Sequence, residues 1–401
     1  MAGNGLWWER PDLRYVDGEL QLGGRRLAAL AAEGTPAYVY RAGRVRENLG
    51  RLRAALDRAG VPHDAYFALK ANRFGPLLDA LRADGRCGID ACSPAEVELA
   101  LAHGFRDTEV SFTGHAVSDA DLEILRAYPG VHVNCDAIST IRRLGLRCPG
   151  RTIGIRLNPG LGAGYNERLR YAGDKPTKFG VYPDRFDEAM RAAQAAGMTV
   201  DTLHFHVGSG YQGDALDVLD RVLEGVGRIL DAHPAIRRLN VGGGLGVRMA
   251  EDETAIDLDR WAGIVARHAR PRGLRVAVEP GDYLVKDAGL LLVQVNTVED
   301  KAGTRFVGVD AGLGILNLLA YYGIPYVVAP LSLRADLTRR RVTITGNINE
   351  AIDLLAEDVE IPSPEEGDYL ALVNVGGYGS AAASNHCMRG AYRETMVDRG
   401  P

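Results

Sequence analysis

The stretch "DAYFALKANRFGPLLDALRADG", residues 64–85, contains the unit from which the fold is built. An apolar, strand-like run ends on Lys70 and breaks at once into a polar Asn-Arg pair and then Gly75, after which a helix-like pattern begins. Such a stretch predicts a buried strand, a turn that presents a lysine at the end of that strand, and a helix. The position of Lys70 at the end of a buried strand suggests that this lysine has a chemical function.

The same strand–helix alternation runs from about Thr35 to Asp282. "AYVYR" precedes the helix-like "RVRENLGRLRAALDRAG", and "CGIDAC" precedes "SPAEVELALAHG", where Ser93, Pro94 and Glu96 form a helix-start signal. About eight to nine such units in roughly 250 residues are typical of a (β/α)8 barrel, an α/β fold. A doubly wound open sheet is the alternative, although such sheets usually have fewer strands in one domain.

After Asp282 the pattern changes to β-rich segments such as "AGLLLVQVNTVED", "RRVTITG" and "DYLALVNVGG". They predict a second, mostly antiparallel β domain, and the N-terminal "LRYVDGELQLGG" predicts a hairpin that joins it. The predicted domains are therefore an N-terminal segment (1–34), the barrel (35–283) and the C-terminal β domain (284–401).

The composition is that of an ordinary soluble globular protein and argues against several classes of function. The net charge of −5 offers no basic face for nucleic acid, and the basic "LTRRRVTIT" (337–345) predicts a solvated turn that leads into a strand. No run approaches the ~18 apolar residues of a membrane span, and the N-terminus lacks the apolar core of a signal peptide. The five cysteines show no C-x-x-C spacing, which argues against a disulfide framework and a zinc site. We expect a cytoplasmic protein with reduced thiols.

Polar residues stand at the predicted C-terminal ends of most strands, which is where barrels carry their catalytic groups. These residues are Lys70, Asp90, His115, Arg156, His206 with Ser209, the glycines 242–246, and Glu279. The glycine-rich "VGGGLG" follows a strand, so its backbone amides could cradle a phosphate. It is not the dinucleotide fingerprint G-x-G-x-x-G, because Val247 takes the last position, and the chain contains no nucleotide P-loop.

The side chains at these strand ends suit one cofactor. "HFHVGSG" places His204 and His206 on one face of a strand, but no third ligand makes a metal site. Glu279, at the end of an apolar strand, needs a cationic or N–H partner. A lysine, a flat histidine, a phosphate cradle and a buried carboxylate together fit pyridoxal 5′-phosphate (PLP). The lysine forms the Schiff base, the carboxylate keeps the pyridine nitrogen protonated, and the ring then stabilises a carbanion.

As a set, the motifs resemble those of the fold-type III PLP-dependent decarboxylases, the diaminopimelate and ornithine decarboxylase group, and most of all its diaminopimelate side. The likeness covers nearly the whole chain and is carried by "FALKAN", "GIDACSPAEVELA", "IGIRLNPG", "PTKFGV", "HFHVGSG", "NVGGGLG", "VEPG", "VDAG" and "GGYGS". It implies an alanine racemase-like barrel with a β domain, PLP as cofactor, and carboxy-lyase activity on a small amino-acid substrate. It also implies a head-to-tail homodimer with shared active sites.

The resemblance further implies roles for individual residues. Lys70 would form the Schiff base, His206 would stack on the cofactor ring, and Glu279 would partner the pyridine nitrogen. The other cofactor-binding residues that the resemblance implies are Asp90, Arg156, Ser209, Gly242, Gly243, Gly244, Gly281 and, from the second subunit, Tyr378.

Two departures from the family pattern bear on the substrate. Asp282 replaces the arginine of E-P-G-R, and Leu318 stands where the diaminopimelate enzymes carry another arginine, although Tyr322 matches their tyrosine. Loss of two guanidinium groups removes a bidentate grip on a distal carboxylate, which would cost about 2–5 kcal/mol. Unless Arg389 or Arg168 has taken over, diaminopimelate is a poor substrate.

Several side chains could meet a different substrate. Asp282 and Glu350 could receive a cationic end, or Asp282 could pair with Lys286 and do no chemistry. The apolar Ile315 and Leu316, together with the leucine that replaces the second arginine, leave an apolar or conjugated substrate equally open. We therefore expect a decarboxylase of an amino acid, or of a free or carrier-bound amino-acid conjugate, other than diaminopimelate, in specialised biosynthesis.

The proton donor also differs from the family pattern. G-P-x-C-E-S-x-D appears here as "GNINEAID" (346–353), so Glu350 is kept but Asn349 replaces the cysteine that reaches across the dimer. An amide has no titratable proton near neutral pH and cannot replace a thiol as general acid. The candidate acids are Cys387, His386, Tyr322 and water.

Two other functions compete with simple decarboxylation. Because Asn349 cannot donate a proton, the carbon that has lost CO₂ could be protonated slowly. Slow protonation would favour decarboxylative carbon–carbon bond formation, transamination or oxidation, or epimerisation. A catalytically idle homologue that binds PLP or a partner protein is the third hypothesis. The chain keeps the residues that the chemistry needs, which argues against an idle homologue. These residues are Lys70, His206, Glu279, Glu350 and Tyr378.

Overall fold

The structure is a computed structural model and describes residues 6–173, 175–334 and 338–398. The chain forms two compact units. The barrel unit comprises Arg46–Val247 and Thr254–Leu284, and the sheet unit comprises Met1–Val45, Arg248–Glu253 and Val285–Pro401. The domain boundaries expected after residues 34 and 283 stay predictions.

The N-terminal part of the sheet unit is a small hairpin sheet. Its elements are β1 (Leu13–Val16), β2 (Glu19–Leu22), β3 (Arg25–Arg26), the helix α1 (Leu27–Ala31) and the strand β4 (Ala37–Tyr40). β1, β2 and β3 pair antiparallel, and the N–H of Leu20 donates to the carbonyl of Leu331 (2.8 Å). Leu13, Leu20 and Leu22 are fully buried in one hydrophobic cluster with Leu290. The hairpin therefore packs on the rest of its own unit.

Eight parallel strands close into a barrel, as the strand–helix alternation predicted. They are β5 (His63–Ala68), β6 (Gly88–Ala91), β7 (Val110–Phe112), β8 (His132–Cys135), β9 (Thr152–Arg156), β10 (Thr199–His204), β11 (Arg238–Asn240) and β12 (Arg275–Val278). β12 pairs with β5, so the ring is closed and the open-sheet alternative is wrong. The strands are apolar at their centres, as at the fully buried Ile153 and Ile155, because both faces of such a sheet are covered.

Helices alternate with the barrel strands. They are α2 (Ala42–Arg58), α3 (Gly75–Asp84), α4 (Pro94–Ala102), α5 (Asp119–Ala127), α6 (Ile138–Arg147), α7 (Phe186–Ala195), α8 (Ala215–Ala232), α9 (Leu258–Ala269) and the short α10 (Asp282–Val285). At the start of α4, Ser93 Oγ accepts the N–H of Glu96 (3.3 Å), and the carboxylate of Glu96 accepts the N–H of Cys92 (2.6 Å). The local sequence thus determines where β6 stops and α4 begins.

The C-terminal part of the sheet unit is a mixed, mostly antiparallel sheet. Its elements are β13 (Gly289–Lys301), β14 (Thr304–Val309), α11 (Leu318–Tyr322), β15 (Val327–Pro330), β16 (Arg339–Thr345), β17 (Leu354–Pro362), β18 (Tyr369–Val373) and β19 (Arg393–Met396). β4 pairs antiparallel with β13 and parallel with β19. "AYVY" therefore belongs to this sheet, and the alternation predicted from Thr35 enters the barrel only at β5.

The remaining expectations concern the basic stretch, membranes and metals. The arginines at 339–341 are exposed at the start of β16, whereas Leu337 of the predicted turn lies outside the described residues. Within the described ranges, no helix is long and apolar enough to cross a membrane. All five cysteines are free, and the described part of the chain holds no group of three or more His, Cys, Asp or Glu side chains suited to a metal ion.

Candidate active site

Lys70 lies where the first barrel strand stops. β5 ends at Ala68, and Leu69–Ala71 form a single 3₁₀ turn. Asn72 closes this turn, because its side-chain oxygen accepts the N–H of Phe74 (2.9 Å). The short polar segment after the strand thus bends the chain at the C-terminal end of the barrel and leaves the lysine there.

Glu279 is a buried anion at the end of β12. Its side chain accepts an N–H from Asn240 Nδ2 (2.6 Å) and contacts His204 Nε2 (3.0 Å). Burial alone would raise the pKa of Glu279, but His204, Asn240 and the charge of Lys70 outweigh burial and hold this pKa below its usual value. His204, which the sequence offered as half of a metal pair, is therefore a partner of Glu279, and Asn240 is a second partner that the sequence pattern did not reveal.

His206 presents a flat, uncharged ring. Burial, reinforced by the nearby charges of Lys70 and Arg156, lowers the pKa of His206 well below its usual value. Its Nδ1 accepts the N–H of Gly208 (3.1 Å), and its ring lies 4.8 Å from that of Tyr171, centroid to centroid. A neutral imidazole held in this way is suited to stack on a planar cofactor.

Asp90 and Arg156 are two further buried ionisable residues at this end of the barrel. Asp90 is 2% exposed, and its Oδ1 has no hydrogen-bond partner among the described residues. Burial and then the charge of Glu279 raise the pKa of Asp90 well above its usual value, although Lys70 acts in the opposite direction. The guanidinium of Arg156 lies over the ring of Phe179, 4.6 Å from its centroid. Asp90 therefore offers a carboxyl group that awaits a hydrogen-bond partner.

The turn after β11 requires glycine. Gly244 has φ +90°, and a methyl group there would lie 1.9 Å from the carbonyl oxygen of Gly208. A methyl group on Gly243 would lie 2.2 Å from the carbonyl oxygen of Glu279. Ser209 is close to the same turn, with its Oγ 3.0 Å from the hydroxyl of Tyr171. The turn is therefore a closely packed stretch of backbone without side chains, and the N–H groups of such a backbone are what a phosphate cradle needs.

These residues fit pyridoxal 5′-phosphate. The charge of Lys70 affects the pKa values of Asp90, Glu279 and His206, so the structure brings the four groups to one end of the barrel. The unpartnered Oδ1 of Asp90 leaves a place for a hydrogen-bond partner, and the turn after β11 is built from glycines that no larger residue could replace. Gly281 is buried and Asp282 is half-buried, and both directly follow this cluster in the chain.

The other predicted site residues lie in the sheet unit. Asn349 and Glu350 are exposed on the loop after β16. Asp353 anchors this loop, because its buried carboxylate accepts the N–H groups of Leu313 (2.5 Å) and Ile348 (2.6 Å).

A second turn of the sheet unit lies beside this loop. His386 Nε2 is 3.2 Å from Glu350 Oε1, which places the turn His386–Met388 next to the loop. Cys387 in that turn is exposed, with φ +51°. The remaining predicted residues of this unit are Leu318, which is buried, Tyr322 and Tyr378, which are half-buried, and Arg389, which is exposed.

Comparisons with known proteins identify the family. Residues 42–286 match the family model described as "Pyridoxal-dependent decarboxylase, pyridoxal binding domain". The chain is 34% identical to the diaminopimelate decarboxylase of Methanothermobacter thermautotrophicus over 97% of this chain and 93% of that protein. It is also 34% identical to the diaminopimelate decarboxylase of Pseudomonas fluorescens, over 96% of this chain and 93% of that protein.

Solved structures show the same relation. The diaminopimelate decarboxylase of Helicobacter pylori in complex with L-lysine superposes with a TM-score of 0.84 at 25% identity, over 93% of this chain and 94% of that one. The expected fold, the expected cofactor and the expected class of reaction are thereby confirmed, whereas the roles of individual residues stay predictions. The chain belongs to the pyridoxal-dependent decarboxylases and is a PLP-dependent carboxy-lyase of fold type III.

Proposed function

We propose that this chain decarboxylates an α-amino acid, or an amino-acid conjugate, other than diaminopimelate. The observation that carries this proposal is Asp282, a half-buried carboxylate at the first residue of α10, just beyond Glu279. A negative charge there repels a distal substrate carboxylate, whereas an amine, amide or thioester end escapes the repulsion. The missing guanidinium grip, which by itself costs about 2–5 kcal/mol, adds to this effect.

In this proposal the barrel residues divide the work of holding the cofactor. Lys70 binds it covalently, His206 lies against the ring, and Glu279 keeps the proton on the ring nitrogen. Ser209 and the glycines 242–244 hold the phosphate. When bound, PLP takes up the electron pair that a departing CO₂ leaves on the α-carbon.

The remaining residues of the proposed site orient groups near the reactive lysine or contact the cofactor and the substrate from the second subunit. Asp90, whose buried Oδ1 is available for a hydrogen bond, and Arg156 orient groups near the reactive lysine. From the second subunit of a head-to-tail homodimer, Tyr378 reaches the phosphate, and Glu350 contacts the substrate. The resemblance of the motifs supports this dimer.

Diaminopimelate itself is the second candidate substrate. The relatives that share 34% identity over nearly the whole chain are named diaminopimelate decarboxylases, which favours it. In that case another arginine, such as the exposed Arg389, must meet the distal carboxylate.

Substitution of Asp282 separates the two candidates. We expect Asp282→Arg to raise kcat/KM for diaminopimelate by about tenfold or more, because a repulsive charge becomes an attractive one. Asp282→Asn should fall between the wild type and Asp282→Arg, and Asp217→Asn, an exposed aspartate of α8, serves as the control. If the wild type turns over diaminopimelate better than any other amino acid, or if Asp282→Arg lowers the rate with diaminopimelate, the proposal is wrong.

A different outcome of the reaction is the alternative that Asn349 motivates. An exposed amide beside Glu350 cannot supply a proton to the carbon that has lost CO₂. If no other group supplies it, the carbanion is captured in another way, by carbon–carbon bond formation, transamination or oxidation. The identity of the product therefore decides between a simple decarboxylase and this alternative.

A further inference from the structure

A histidine–aspartate pair at the C-terminal end of the barrel has no role in the site described above. His115 follows β7 and Asp136 follows β8, so both lie at the barrel end that carries Lys70. Nδ1 of His115 is 2.6 Å from Oδ2 of Asp136. The side chain of Asp136 is 2% exposed and that of His115 is 35% exposed. A buried carboxylate thus holds an imidazole that reaches solvent.

The surroundings tie this pair to the cofactor residues. The ring of His115 lies edge-on to Phe179 at 5.8 Å, and the guanidinium of Arg156 lies over the same ring at 4.6 Å. Burial lowers the pKa of Arg156, whereas the negative charge of Asp136 raises it, as do the charges of Glu279 and Asp90. The pair is therefore part of the same group of charges as the proposed site.

The geometry determines which nitrogen of His115 is available. Because Asp136 accepts from Nδ1, that nitrogen carries a proton, and Nε2 points away from the carboxylate. A buried carboxylate that accepts from one ring nitrogen fixes the ring and orients the other nitrogen for proton transfer. The pair of His103 and Asp79 instead links the residue that follows α4 to the helix α3.

We propose that His115 donates the proton that completes the reaction, with Asp136 as its positioning residue. This inference rests on the proposed decarboxylation. The bond from the α-carbon to the carboxylate breaks, CO₂ leaves, and the electron pair remains on the carbon. The proton on Nε2 then moves to that carbon to form the new C–H bond, and the neutral imidazole regains a proton from water. His115 thus supplies what Asn349 cannot.

Matched variants test this assignment in the PLP-loaded protein. His115→Asn keeps an N–H donor for Asp136 but has no atom in place of Nε2, and Asp136→Asn removes the charge that orients the ring. His103→Asn changes a histidine with the same 2.6 Å contact to a carboxylate, but on outer helices, and is the control. In D₂O, the products of the best amino-acid substrate are sorted by mass into the amine with one deuterium and the carbonyl compound of decarboxylation-dependent transamination.

We expect His115→Asn and Asp136→Asn to retain CO₂ release while the ratio of carbonyl compound to amine rises about tenfold or more, because a general acid typically contributes 10²–10⁴-fold. His103→Asn should leave the ratio unchanged. An unchanged ratio in His115→Asn overturns the proposal, and so does a rise confined to Cys387→Ser. If the wild type releases CO₂ from no amino acid, the proposed decarboxylation itself has failed.

A second measurement needs neither cofactor nor turnover. In the proton NMR spectrum of the apoprotein, the Nδ1 proton of His115 should appear at low field and should vanish in Asp136→Asn, while the corresponding His103 signal persists. If no such proton is bound between His115 and Asp136, the pair does not exist in solution and the inference falls, whatever the products are.

Discussion

Glu279 stays ionised inside the barrel because its neighbours replace the lost water. It is 4% exposed, yet the N–H of Asn240 and the ring of His204 keep its pKa below the usual value. A carboxylate whose pKa is depressed by folding stabilises the folded state above the pKa of the unfolded chain, and this contribution disappears as the pH falls through the folded-state value. The same charge is what the pyridine nitrogen of PLP requires.

Glu279→Gln tests this charge. We expect the wild-type apoprotein to lose free energy of unfolding more steeply on acidification below about pH 4.3 than Glu279→Gln, because only the wild type has this carboxylate to protonate. Urea denaturation at neutral and acidic pH measures the difference, with Glu224→Gln, an exposed residue of α8, as the control. Activity should also fall by about 10²-fold or more. Parallel pH profiles for the wild type and Glu279→Gln would show that the carboxylate is not ionised in the fold.

At this scale, some of the site was predictable from sequence. Lys70 and Glu279 were found because polar residues at the ends of apolar strands stand out from the pattern. The contacts of Asn240 and His204 with Glu279 were not predictable, because they depend on the lateral pairing of β10, β11 and β12. His115 was recognised as a polar strand end, but its contact with Asp136 joins two different strands and leaves no local signal.

Among the elements, the turn after β11 tolerates substitution least, because its glycines have no space for a side chain. Gly244→Ala places a methyl group 1.9 Å from the carbonyl of Gly208 at φ +90°, so we expect a loss of about 1–3 kcal/mol in the free energy of unfolding and weaker PLP binding. Gly263→Ala in α9 meets nothing within 4 Å and should be neutral or slightly stabilising, which makes it the matched control. Thermal unfolding and PLP titration of both variants give the comparison. Equal stability and PLP affinity in the two variants would refute a backbone cradle in this turn.

The elements also show where sequence reasoning fails. β4 is buried along its whole length and precedes a helix, so it reads like a barrel strand. Its actual partners are β13 and β19, which come much later in the chain. Hydrophobic alternation identifies a strand but not its sheet, since the choice of partner depends on non-local packing. The eight strands from β5 onwards were predictable because short apolar runs alternate with helix-like stretches along most of this part of the chain.

At the scale of the whole molecule, the chain has the fold of its family but differs from the family pattern at a few positions. The barrel keeps a lysine, a carboxylate, a neutral histidine and a glycine turn in positions that fit PLP. The residues that depart from the family pattern are Asp282, Leu318 and Asn349, and in the proposed function they concern the substrate and the proton donor. CO₂ release is therefore the chemistry that this chain shares with the named relatives, and a different substrate is what we propose.

The most direct measurement is high-resolution mass spectrometry of the PLP-loaded wild type in D₂O, with a panel of L- and D-amino acids that includes diaminopimelate. Our expectation is loss of CO₂ with one deuterium gained at the α-carbon, from a substrate without a free distal carboxylate. Diaminopimelate as the best substrate, or CO₂ loss without a carbon-bound deuterium, would contradict it.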